Sequence, residues 1–229
     1  MALVIEVLPT PLVDPAITNL GILNSITWLV FYLNGFNCIF TIILVCEIQI
    51  SIMVKDGLVI VYTGGGKGKT TAALGMALRA VGYDHKVCMI QFIKGSWHYG
   101  EMDSSKRLSP EFELIPAGKG FVGIIDDKSS KKDHEKYAEE AMKICKEKIL
   151  SEKYDLVILD EINYAVNLGL ISSDSVIELI KIRPEKLNLV LTGNHAKHEI
   201  IELADLVTEM KEIKHPFKSG IKAKKGIDF

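Results

Sequence analysis

Residues 57–82 restrict the possible folds of this chain more than any other stretch. Gly57-Leu58-Val59-Ile60-Val61-Tyr62-Thr63 is short, β-branched and bounded by glycine, which reads as a buried strand. It runs directly into Gly64-Gly65-Gly66-Lys67-Gly68-Lys69-Thr70-Thr71. Ala72 to Val81 follows, rich in helix formers and closed by Gly82. In a strand–loop–helix of this kind, glycines let backbone N–H groups curl around phosphate oxygens, and the helix N-terminus adds positive potential. Lys69 is placed to reach phosphate oxygens, and the Thr70 hydroxyl to ligate Mg²⁺. The candidate ATP-binding set is therefore Gly64, Gly65, Gly66, Lys67, Gly68, Lys69, Thr70 and Thr71. The loop is one residue short of the usual spacing. Only Gly65, Gly66 and Lys67 separate Gly64 from Gly68, and Thr63 stands where the first glycine normally lies. Phosphate binding is predicted, while the orientation of the nucleotide stays open.

A nucleotide site also needs a carboxylate for the metal. Tyr154-Asp155-Leu156-Val157-Ile158-Leu159-Asp160-Glu161 is an apolar strand ending in two acids. Parallel α/β sheets place ligand chemistry at strand C-terminal ends. Neighbouring residues there point to opposite sides, so one acid can face Mg²⁺ and the other a neighbour or the reacting centre. The plainer reading is two solvated acids capping the next helix. The candidate metal ligands are Thr70, Asp160 and Glu161, and the candidate catalytic residues Lys69, Thr70 and Glu161.

Further units alternate between strand and helix. Lys86 to Phe92, Phe112 to Ile115, Leu187 to Gly193 and Leu206 to Met210 read as strands. Lys131 to Leu150 reads as a long amphipathic helix, and Ser172 or Ser173 as the cap of a helix over Asp174–Ile182. The predicted fold class is α/β: a P-loop NTPase-like, doubly wound, mostly parallel sheet with an apolar N-terminal extension.

That extension shows in the charge. The chain of 229 residues has 27 basic and 29 acidic side chains, and every basic one lies at or after Lys55. Only Glu6, Asp14 and Glu47 precede it, so residues 1–53 carry −3 and residues 54–229, with 26 acids against 27 bases, carry +1. We therefore expect two parts, an extension over 1–53 and a domain over 54–229. No charge falls between Pro15 and Cys46, a run long enough to span a bilayer, although Asn34, Gly35 and Asn37 interrupt it. It is a membrane anchor with a cytoplasmic domain, an element packed on the domain, or a segment ahead of a true start at Met53. The last is the preferred reading, with the anchor next, and a cytoplasmic protein follows from it. Near-neutral charge argues against a nucleic-acid binder, and the lysines of the tail (Lys218, Lys222, Lys224, Lys225) read as a solvated face. Cys38, Cys46, Cys88 and Cys145 have no metal spacing and read as buried thiols in a reducing compartment. His195 and His198 are read as a solvated helix start.

Several motifs recur in one order. They are the short loop at Gly64–Thr71, Arg79-Ala80-Val81-Gly82, Gln91-Phe92-Ile93-Lys94-Gly95 with Trp97 and Gly100-Glu101, and Gly118-Lys119-Gly120-Phe121. Then come Leu159-Asp160-Glu161-Ile162-Asn163-Tyr164, Leu191-Thr192-Gly193, and Lys214-His215-Pro216-Phe217 with the ending Gly226-Ile227-Asp228-Phe229. From Gly57 to Phe229 the chain thus resembles the P-loop ATP:corrinoid adenosyltransferases, also called cob(I)alamin adenosyltransferases. The resemblance implies that reduced corrinoid, as Co(I), attacks the 5′ carbon of ATP and that triphosphate leaves, in cobalamin biosynthesis or salvage. It implies ATP held reversed relative to other P-loop proteins, which fits the odd loop. It adds Arg79 to the ATP contacts, and Phe121, Trp97 and Gln91 as corrinoid contacts. It also implies a homodimer and a flavodoxin-like electron donor. The chain departs from the pattern at Gly123, where a Trp is usual, and at Asn194, where an Arg is usual. Either one aromatic wall is missing, or Trp97 or Tyr99 supplies it.

Two other function classes fit the loop. A P-loop ATPase or kinase cleaving the γ-phosphate would normally use an arginine finger, whereas the chain holds only Arg79, Arg107 and Arg183. A membrane-tethered nucleotide-binding sensor would suit the apolar extension.

Overall fold

All six apolar runs become strands of one sheet. The computed structural model describes residues 57–93, 98–118 and 131–228. The strands are β1 (Val59–Thr63), β2 (Val87–Gln91), β3 (Phe112–Pro116), β4 (Leu156–Asp160), β5 (Asn188–Thr192) and β6 (Leu206–Glu209). The helices are α1 (Lys69–Val81), α2 (Gly100–Arg107), α3 (Lys131–Leu150), α4 (Ile162–Asn167), α5 (Ser173–Ile182) and α6 (His198–Ile201). The sheet order is β3-β2-β4-β5-β1-β6, and every pairing is parallel. Parallel strands need crossovers, and helices supply them, so both faces of the sheet are covered.

Alternation along the strands divides the core in two. Val59, Val61, Cys88, Ile90, Val157, Leu159, Leu189 and Leu191 face one side. There they meet Ala138, Ala141, Cys145 and Ile149 of α3 and Val176, Leu179 and Ile180 of α5. Ile60, Met89, Ile158 and Val190 face the other side, against Ala73 and Ala77 of α1. Small residues on α1 let that helix lie close to the sheet and fix the phosphate loop at its N-terminus. Ser172 caps α5 by accepting a hydrogen bond from the Ser175 N–H at 3.2 Å.

Cys88 and Cys145 are buried free thiols, as expected. Among the described residues no helix is long and apolar enough to cross a membrane. The extension over 1–53, Trp97 and Phe121 lie outside the described residues.

Candidate nucleotide site

The site forms where β1, β4 and β5 end. After Thr63 the chain turns at Gly64 with φ +94°, and a Cβ there would lie 2.5 Å from the Met210 carbonyl oxygen. Only glycine fits both demands. The next turn is held from the same direction, since the Gly66 N–H donates to the Met210 carbonyl at 2.6 Å. The loop is therefore moulded against the residues that leave β6. Gly68 stands at the start of α1 and no side chain caps that helix end. A helix start without a side-chain cap is what anion binding by its first N–H groups requires.

Lys69 is buried, and its Nζ donates to the carbonyls of Gly64 and Gly66, each at 2.8 Å. Burial lowers its pKa from the ordinary lysine value, while the nearby charges of Glu161 and Asp160 oppose that drop. Lys67 forms an ion pair with Asp228, whose second oxygen accepts the Lys224 N–H at 2.7 Å. The tail thus reaches the loop, a contact with no local signal in the sequence.

The acid pair is built by the adjacent strands. Asp160 ends β4, is fully buried, and lies in register with Gln91 of β2. Its Oδ1 accepts hydrogen bonds from the hydroxyls of Thr70 (2.9 Å) and Thr192 (2.7 Å), and its Oδ2 from Gln91 Nε2 (3.3 Å). Asp160 is therefore not a solvated acid. Glu161 follows with φ 64°, a left-handed backbone rarely adopted by a glutamate, at the N-cap position of α4. Its side chain makes no capping bond. Departures of this kind concentrate at functional sites.

The structure brings the Gly64–Thr71 loop together with Asp160, Glu161 and Gln91. It does not bring Arg79 there. Arg79 is in the last turn of α1, ten residues beyond Lys69, and at 1.5 Å per residue that is about 15 Å along the helix axis. Gln91, expected to touch a corrinoid, is fully buried, and its amide nitrogen bonds to Asp160 and to Glu101, each at 3.3 Å. Tyr99 is buried beside α2 rather than lying over an open face. His198 pairs with Glu202 at 3.5 Å at the start of α6. Thr192 was missed as a site residue. Its signals were a hydroxyl at the end of an apolar strand and its place in the Leu191-Thr192-Gly193 motif.

The donors present fit Mg²⁺. Among the described residues, no group of three or more His, Cys, Asp or Glu could hold a metal unaided. Mg²⁺ is usually held by one or two carboxylates together with substrate phosphates and water, so a hydroxyl and two acids suit it better than a closed protein cage would. Because the Thr70 proton goes to Asp160, the hydroxyl lone pairs are left for a cation. Gln91 Oε1 and Asn163 Oδ1 are buried acceptors that bond to nothing in the protein, which leaves acceptors for metal-bound water close to Asp160 and Glu161.

The sheet, the glycine loop with its buried lysine and the hydroxyl–carboxylate contact define a parallel α/β protein with a Gly-Lys-Thr loop at the C-terminal edge of its sheet. The family model of the ATP:corrinoid adenosyltransferases BtuR/CobO/CobP matches residues 55–229, and the chain belongs to that family. It is 41% identical over 177 residues to the corrinoid adenosyltransferase of Sinorhizobium sp, covering 76% of this chain and 81% of that protein. It is 40% identical over 175 residues to the corrinoid adenosyltransferase of Pseudomonas aeruginosa, covering 76% and 85%. With that of Escherichia coli K12 it shares 36% identity over 175 residues, covering 76% and 87%.

Proposed function

We propose that this chain transfers the 5′-deoxyadenosyl group of ATP to the Co(I) centre of a reduced corrinoid, in cobalamin biosynthesis or salvage. The observation that carries this reading is the family match over residues 55–229, a span that contains the loop, the acid pair and every described strand. In the reaction the cobalt electron pair forms a bond to C5′ of ATP. The C5′–O bond breaks, and its electrons leave with the triphosphate. No general base is needed, so the protein's tasks are to align the reactants and to neutralise the leaving group.

The loop performs the second task. Its N–H groups and the start of α1 accept the triphosphate. Lys69, held on the carbonyls of Gly64 and Gly66, turns its ammonium to the phosphates. Thr70, Asp160 and Glu161 hold Mg²⁺, which supplies further neutralisation of the leaving charge when bound. No arginine is at the loop. Arg79 ends α1, Arg107 ends α2, and Arg183 is spent on the carbonyls of Gly57, Pro184, Glu185 and Leu187. Charge neutralisation by lysine, amides and metal suits release of a whole triphosphate better than arginine-assisted γ-phosphate cleavage.

Phe121 and Trp97 are proposed to cover one corrinoid face, and residues 54–229 to form the transferase domain, with 1–53 outside it. The family likeness alone supports a homodimer, a flavodoxin-like donor for cobalt reduction and a cytoplasmic setting. The test is to incubate the full chain with ATP, Mg²⁺ and chemically reduced corrinoid. Adenosylcorrinoid with intact triphosphate is expected; ADP with phosphate would overturn the proposal.

A further inference from the structure

We propose that Thr192 is a positioning residue that sets both acids of the metal site through one hydroxyl. This rests on the reading of Thr70, Asp160 and Glu161 as the Mg²⁺ ligands. Thr192 is the last residue of β5 and is fully buried. Its Oγ1 donates to Asp160 Oδ1 at 2.7 Å and accepts the Glu161 N–H at 2.9 Å. A hydroxyl has one proton and two lone pairs. An amide N–H can only donate, so the proton must point at Asp160. Side chain of one acid and backbone of the next are thereby locked to a single atom.

Each bond has a distinct consequence. The bond to Asp160 fixes which carboxylate oxygen is shared with Thr70, because Oδ1 accepts both hydroxyls. The rotamer of Asp160 and the lone-pair direction of Thr70 are set together. The bond from Glu161 holds the left-handed backbone, φ 64°, that carries the second acid off the line of the strand. Gly193 brings Thr192 near enough to do this. A Cβ on Gly193 would lie 2.7 Å from the Tyr164 nitrogen, so any larger residue would push the end of β5 away from α4. Packing alone does not call for a hydroxyl here, since valine has the same shape and suits a buried strand. Burying a hydroxyl is unfavourable unless it is hydrogen-bonded, and both of these bonds lead to the acid pair.

The test uses the full chain and measures equilibrium ATP binding against Mg²⁺ concentration and without metal. Thr192→Val removes both bonds and should raise the Mg²⁺ concentration for half-maximal effect at least about tenfold, the loss of the bond to the charged Asp160 alone accounting for that much. Metal-free ATP binding through the loop should stay within about twofold. Thr192→Ser, which keeps the hydroxyl, should return the midpoint to that of wild type. Thr192→Ala gives the same readout if valine disturbs folding. A Thr192→Val midpoint equal to that of a Mg²⁺-responsive wild type would overturn the inference. So would parallel loss of metal-free binding, or failure of serine to rescue. A wild type whose ATP binding ignores Mg²⁺ would instead overturn the metal assignment beneath it.

Discussion

Replacing Gly64 by alanine tests the claim that the loop is moulded against the exit of β6. The added Cβ meets two costs. At φ +94° an L side chain is strained, by about 1–3 kcal/mol. It would also lie 2.5 Å from the Met210 carbonyl oxygen, a backbone atom that cannot swing away, and overpacking of that kind costs typically about 1–3 kcal/mol. The sum, roughly 2–6 kcal/mol, is comparable to the whole stability of many domains, so the cheaper response is for the loop to leave Met210. It then gives up the Gly66–Met210 hydrogen bond and the arrangement of N–H groups around the phosphate position. If only the lower end of the sum appears in binding, ATP affinity falls by about thirtyfold, at 1.4 kcal/mol per decade. The assay is calorimetric ATP titration together with thermal unfolding. Gly65→Ala is the matched control, because a Cβ there has nothing within 4 Å and its free-state stability should barely change. Affinity within threefold of wild type in Gly64→Ala, or equal destabilisation by both substitutions, would refute the reasoning.

Lys69→Ala should slow adenosyl transfer at least about hundredfold, since it strips a fixed positive charge from the departing triphosphate; turnover within tenfold of wild type would remove Lys69 from the mechanism. Burial pushes the Glu113 carboxyl up, but hydrogen bonds from Tyr154 and Lys148 outweigh it and leave it below the ordinary 4.5. A lowered carboxylate pKa contributes stability above that ordinary value and loses it as pH falls through the lower folded one. Glu113→Gln should therefore cost up to about 1 kcal/mol at neutral pH, discounted for its exposure, with the gap closing in acid; urea unfolding across pH would show a constant gap if this is wrong. Burial, with the Glu113 charge adding, pushes the Cys88 thiol up to about 12, and burial raises Cys145 well above its ordinary value. Both should resist alkylation at neutral pH in the folded protein and react in urea, as peptide mass spectrometry would show.

Strands were legible because burial on both faces demands continuous β-branched runs such as Val59–Thr63 and Leu156–Asp160. The helix over Lys131–Leu150 was legible because its length gives the 3.6-residue period room to repeat. Helices α4 and α6, of six and four residues, are too short to show that period. The Gly-Lys-Thr loop and the Asp160–Glu161 pair were readable because their chemistry is local. Arg79 was expected from the family motifs alone, and its place in the last turn of α1, about 15 Å along the axis from Lys69, follows from helix geometry. Gln91 was expected as a corrinoid contact from the family likeness, and the strand register sets it beside Asp160. The pairing of Lys67 with Asp228 spans 161 residues and leaves no local trace.

That long reach bears on how the domain is made. The loop lies near the start of the domain, but β1 pairs with β5 and β6, and Gly64 and Gly66 rest on Met210. A chain leaving the ribosome therefore presents its Gly-Lys-Thr segment long before anything exists to shape it. Nucleotide affinity should arrive only when the final strand docks, late and all at once, as topologies of long sequence separation dictate. Nascent fragments that stop short of residue 210 would carry the motif but not the site.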